Sequence, residues 1–102
     1  MYIVEQTFTG VSQGDEILVA DSHTIKFELQ QTAANTITAE GKLTSDGAYA
    51  SIGIFNVGDI SMSTEVSAAG LYELDIENLH SVRFRVSAFI SGDIKIISKV
   101  VN

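Results

Sequence analysis

The sequence predicts an all-β fold: an antiparallel, jelly-roll-like β-sandwich of about eight to nine strands. Three observations carry this expectation. Apolar residues recur every second position rather than every third or fourth, the pattern of a strand with one buried face. Glycine, aspartate and serine cluster between these runs at short intervals, as tight turns require. No helical spacing of apolar residues is sustained anywhere along the 102 residues.

The elements follow in order. Strands are expected at 2–8 and 16–20, separated by Thr9-Gly10 and Gln13-Gly14-Asp15. After Asp21-Ser22, the strand 24–32 sets Ile25, Phe27 and Leu29 on one face against Lys26, Glu28 and Gln30. Gln30 to Ala34 reads as a loop, and 35–44 resumes with Ile37 and Ala39 alternating against Thr36, Thr38 and Glu40. Asp46-Gly47 precedes a strand at 48–57, and Gly58-Asp59 precedes one at 60–67, whose inward stripe is Ile60, Met62, Thr64 and Val66. Ala69-Gly70 opens 71–77, with Tyr72, Leu74 and Ile76 inward. The longest run, 81–90, places Val82, Phe84, Val86, Ala88 and Ile90 against Arg83, Arg85, Ser87 and Phe89. Ser91-Gly92-Asp93 leads to a last strand at 94–101. The chain contains no proline, so sheet edges must be guarded by charge, bulges or a partner.

Composition narrows the function classes. The length suits a single domain, residues 1–102, with 45% hydrophobic and 19% charged residues. Thirteen acids against six bases give a net charge of −7 with no basic cluster, so nucleic acid is not an expected partner. The absence of cysteine excludes disulfides and thiolate chemistry. The N-terminal Met1-Tyr2-Ile3-Val4-Glu5-Gln6 lacks the basic start and apolar run of a signal peptide. No run approaches the ~18 apolar residues of a membrane span, so a membrane partner is not expected either. The expectation is a protein made in the host cytoplasm that leaves, if at all, as part of something else.

Two stretches resemble a small β-sandwich domain of tailed-phage virion proteins. The first is Ile37-Thr38-Ala39-Glu40-Gly41-Lys42-Leu43-Thr44-Ser45-Asp46-Gly47-Ala48-Tyr49, similar to a hairpin of that family with Asp-Gly before an aromatic residue, here Tyr49 in place of the usual Trp. The second runs from Ala68-Ala69-Gly70-Leu71-Tyr72 through Val82-Arg83-Phe84-Arg85-Val86 to Ser91-Gly92-Asp93-Ile94-Lys95-Ile96. It is similar to the family's Ala-Gly-Leu-Tyr strand, its hydrophobic-Arg alternation and its closing strand. Asn78 stands where a turn glycine is common, and asparagine tolerates positive φ. The first 35 residues match no motif of the family. The resemblance implies a head-decoration (cement) or minor tail protein.

Candidate contact residues come from the strand pattern. Arg83 and Arg85 share one face, suited to carboxylates of a neighbouring subunit or, within the fold, to Glu73, Asp75 or Glu77 on the preceding strand. Phe89 shares that face, and Ile97 and Val101 add a second apolar stripe behind Ile94, Ile96 and Val100. A sheet with one wet face does not need this stripe. It is expected to meet a partner, unless a bulge or the segment Tyr2-Ile3-Val4 accounts for it. Tyr49 and Phe55 are candidates for stacking on a sugar. His23 and His80 each stand beside a turn without metal-ligand spacing. Gln13-Gly14-Asp15-Glu16 with Asp21 offers only a weak calcium pattern. In Ser22-His23 and His80-Ser81 the side chains are expected on opposite faces, which argues against a nucleophile-base pair. No catalytic, metal or cofactor residues are expected. The leading expectation is a non-enzymatic virion structural protein, a capsid decoration protein acting through oligomeric contacts with capsid or tail protein and with its own copies, a trimer suiting threefold positions. The alternative is a carbohydrate-binding or host-attachment module.

Overall fold

The alternating stripes fold as two antiparallel sheets facing one another in a computed structural model that describes residues 2–101. Twelve strands form, and no described residue is helical: β1 (Tyr2–Phe8), β2 (Ser12–Gln13), β3 (Ile17–Leu18), β4 (Thr24–Gln30), β5 (Thr36–Lys42), β6 (Ala50–Ile52), β7 (Ile54–Asn56), β8 (Ser61–Ser63), β9 (Glu65–Val66), β10 (Gly70–Asp75), β11 (Ser81–Ala88) and β12 (Ile94–Val101). The first sheet runs β1-β12-β4-β10-β7-β8. The second runs β2-β11-β5-β6, with β3 also on β11 and β9 also on β5.

The count exceeds the expected eight to nine because two expected strands are broken and a further short strand, β2, forms where none was expected. β2 and β3 lie in sequence along one edge of β11, and between them the amide of Gly14 donates to the carbonyl of Phe84 at 2.7 Å. The strand expected at 48–57 divides at Gly53: β6 pairs with β5 in the second sheet and β7 with β10 in the first. The strand expected at 60–67 divides at Thr64 in the same way, β8 joining β7 and β9 joining β5. The breaks at Gly53 and Thr64 are corners at which the chain passes from one sheet to the other.

The core holds what most of the stripes expected. Ile25, Phe27 and Leu29 on β4, Ile37 and Ala39 on β5, Tyr72 and Leu74 on β10 with Ile76 after it, Val82, Phe84 and Val86 on β11, and Ile94, Ile96 and Val100 on β12 are buried together. Phe27 stacks on Tyr72 within the first sheet and meets Phe84 of the second edge-on, at centroid distances of 5.3 and 4.8 Å. Loop geometry is set by side chains. The buried Asn35 accepts from the amides of Ile90 and Ser91 and donates to Gln31 Oε1 and the Ser91 carbonyl, which fixes the β11–β12 connection. Gly92 supplies the positive φ of that connection (+78°), and Asn78 adopts φ 67°, as its substitution for a turn glycine implies.

Two stripes differ from expectation. A β-bulge between Val86 and Ala88 shifts the register of β11 against β5. The alternation therefore reverses: Phe89 packs against the core, while Ala88 and Ile90 turn outward. The corner at Thr64 has the same effect on 60–67. Val66 is buried, but Ile60 and Met62 stand exposed. Ile60 also has φ 57°, a conformation costing a β-branched residue about 1–2 kcal/mol. Asn56 makes the turn, its side chain accepting from the Gly58 and Asp59 amides and its carbonyl from the Ile60 amide.

Candidate interaction surfaces

The outer face of the second sheet carries Arg83 and Arg85, but their partner is not the one expected. β10, with Glu73 and Asp75, belongs to the first sheet, and Glu77 follows it, so none of the three adjoins β11. The cross-strand neighbour of Arg83 is Glu40 on β5. Arg83 Nε donates to Glu40 Oε1 at 2.8 Å, and Arg85 Nη1 lies 3.8 Å from Glu40 Oε2. Arg85 remains the more exposed of the two.

Beside this triad lies a network that spans distant parts of the sequence. Glu16 Oε1 accepts from Lys42 Nζ at 2.8 Å, from the Tyr49 hydroxyl at 2.7 Å and from the Ser81 hydroxyl at 2.9 Å. The Arg83 guanidinium sits 4.0 Å from the centre of the Tyr49 ring and Lys42 Nζ 5.0 Å from it. Three donors on one carboxylate hold Glu16 at a pKa of about 2, below its ordinary 4.5, the Lys42 bond being the largest cause. The same bond raises Lys42, and burial raises Tyr49. Because the folded pKa of Glu16 is the lower one, its contribution to stability is complete above pH 4.5 and is lost as pH falls toward 2. Melting temperatures of wild type and Glu16→Gln are therefore expected to converge over that range; parallel curves would refute the assignment.

Tyr49 and Phe55 do not form one stacking platform. Tyr49 is covered by Arg83 at the second sheet, whereas Phe55 faces outward on β7 of the first. His80 and Ser81, expected on opposite faces, meet at 3.2 Å, because His80 precedes β11 and strand alternation does not govern it. Ser81 is fully buried, with its hydroxyl committed to Glu16. His23 Nδ1 lies 3.9 Å from Glu77 at the surface. Among the described residues no group of three or more His, Asp or Glu is placed to hold a metal ion.

The outer face of the first sheet is laid out by register. One row across it reads Ile3, Lys99, Lys26, Glu73, Phe55, Met62, and the next includes Glu5, Ile97, Glu28 and Leu71. Ile97 and Val101 thus stand on this outer face, half-buried, with Ile3 exposed nearby. At the opposite side Phe55, Met62 and Leu71 adjoin Val57 and Ile60 of the β7–β8 turn, where the Val57 amide donates to the Leu71 carbonyl. Ile60, Met62 and Leu71 are 78, 65 and 59% exposed. Of the residues singled out in the sequence, Arg83 and Arg85 lie on one face, Ile97 and Val101 on the other, and Phe89 on the core. The Glu16 network and the Ile60 corner carry no local motif. The sequence signal for the corner is the pair of turn formers Asn56 and Gly58-Asp59, followed immediately by a β-branched residue.

The geometry defines a class: a small two-sheet antiparallel β-sandwich with polar ion-paired residues on one outer face and separated apolar groups on the other. Its fold is similar to that of the SPBc2 prophage-derived protein YomS, at 19% identity and a TM-score of 0.81, covering 100% of this chain and 96% of that one. It is also similar to the PBSX exported protein XepA, at 16% identity and a TM-score of 0.82; the chain spans only 39% of the length of that protein. No protein-family model matches the sequence, and no curated protein does.

Proposed function

We propose that the chain is a phage structural protein, a capsid decoration (cement) protein that stabilises the particle by binding other virion proteins and its own copies, without catalysis. The observation that carries this reading is the exposed apolar surface on the outer face of the first sheet, in a fold similar end to end to a prophage-derived protein. Where Phe55 pairs with Met62 and Val57 bonds Leu71, exposed apolar groups adjoin one another, and such patches mark protein contacts more often than idle surface. The acidic charge favours approach to basic surfaces and keeps the free subunit in solution. Ser81 is buried, which leaves its contact with His80 no route to a substrate. Homo-oligomer contact, with a trimer suiting threefold positions, falls on Ile3, Ile97 and Val101 and on the half-exposed Arg85.

A protein that binds only the assembled shell stabilises the shell by mass action. Particles made without the gene are expected to lose infectivity at lower temperature than complete ones, and added purified protein to restore them. Equal heat resistance, together with no rebinding, would count against the reading.

A further inference from the structure

The corner formed by Phe55, Val57, Ile60, Met62 and Leu71 is distinct from every contact residue expected from the sequence except Phe55. Phe55, Met62 and Leu71, from β7, β8 and β10, share one outer face, and the exposed Val57 and Ile60 of the β7–β8 turn adjoin them through the backbone bond of Val57 to Leu71. Ile60 is the most exposed of the chain's large apolar residues that are described, and it holds a left-handed backbone that glycine or asparagine would adopt without strain. A strained, exposed isoleucine at a turn tip is maintained against both local conformation and solvation, which points to use of the side chain itself.

The rim of the corner is acidic. Glu28 is the register partner of Leu71, and Glu73 that of Phe55. Asp59 stands in the turn between β7 and β8. Of the cations on this face, Lys26 stands opposite Glu73, Lys99 lies one strand further from the corner, and Lys95 is paired with Glu5. Lys42, Arg83 and Arg85 belong to strands of the other sheet. A second copy meeting this corner through a twofold axis would bring acids against acids. The charge complement is a different surface.

We infer that this corner docks a virion protein that presents an apolar projection ringed by lysine or arginine. The inference rests on the reading that the chain binds virion proteins, and it adds which surface does so and the chemistry of the partner. Apolar contact at the centre with opposite charges at the rim gives an interface that assembles faster at low salt and is held by its centre.

The test uses the full chain in Ile60→Gly and Leu71→Ser forms, with Leu43→Ser, an exposed apolar residue after β5, as a variant outside the corner. Ile60→Gly relieves the backbone strain, so it is expected to fold at least as stably as wild type while losing its grip. In co-sedimentation with particles lacking the protein, both corner variants are expected to bind roughly tenfold more weakly or worse, Leu43→Ser to bind as wild type does, and salt to weaken wild-type binding. Corner variants that bind as wild type does, or binding indifferent to salt, would overturn the inference and leave the virion reading standing. A second measurement separates the two ideas. A short apolar peptide flanked by lysines is titrated into labelled protein and followed by amide shifts, beside its glutamate-flanked counterpart. Shifts at the corner from the lysine peptide alone support the surface even if particles do not bind; equal response to both peptides, shifts elsewhere, or self-association through the corner contradict it.

Discussion

Phe27→Ala is expected to lower stability by about 3–5 kcal/mol, the cost of removing a large aromatic from a closed core. Phe27 sits on β4, in the interior of the first sheet, and its ring is the link between the sheets. It stacks on Tyr72 with planes 25° apart and meets Phe84 at 65°. Truncation removes both ring contacts and opens a cavity between strands that cannot collapse without moving β11 toward β4. A small domain has a total stability of about 5–15 kcal/mol, so the variant is expected to melt at a much lower temperature or not to fold at 37 °C. Urea unfolding of both proteins measures the difference. A loss below about 1 kcal/mol would mean that the two rings facing Phe27 do not form the centre of the core.

Asn35→Ala is expected to cost about 2–4 kcal/mol, although it removes no apolar surface of consequence. The side chain is fully buried and bonded on both its oxygen and its nitrogen. Alanine leaves the amides of Ile90 and Ser91 without their acceptor and Gln31 Oε1 without its donor, in a buried site where unmet polar groups are costly. Amide exchange resolves the effect locally: Ile90 and Ser91 are expected to lose protection well before the strands β4 and β12 do. Unchanged protection at these two amides would show that the connection is held by other means.

The depth to which the sequence can be read follows from the range of each interaction. Alternation is a local property, so the buried faces of β4, β5, β10 and the first half of β11 are legible, as is the positive φ at Asn78. Where one residue reverses the phase, alternation misleads. The bulge after Val86 turns Phe89 from a surface residue into a core one, and the corner at Thr64 puts Met62 outside although Val66 is inside. Sheet membership is not local at all. Arg83 has Glu40 as its partner rather than Glu73 because β10 and β11, adjacent in sequence, lie in opposite sheets. The Glu16 cluster joins residues 33 and 65 positions apart and has no spacing to recognise. The second apolar stripe on β12 is correctly read as facing away from the core, since Ile97 and Val101 stand on the outer face, flanked by β1 and β4.

These surfaces have a purpose only if the chain ends up in a particle. Mass spectrometry of particles purified through a density gradient, from cells that carry the gene for this chain, tests that claim directly. The chain is expected in every preparation at a fixed ratio to the major capsid or tail protein, and to remain through high-salt washing once bound. Its absence from purified virions, with the protein found free in the lysate, would contradict the structural role at its root.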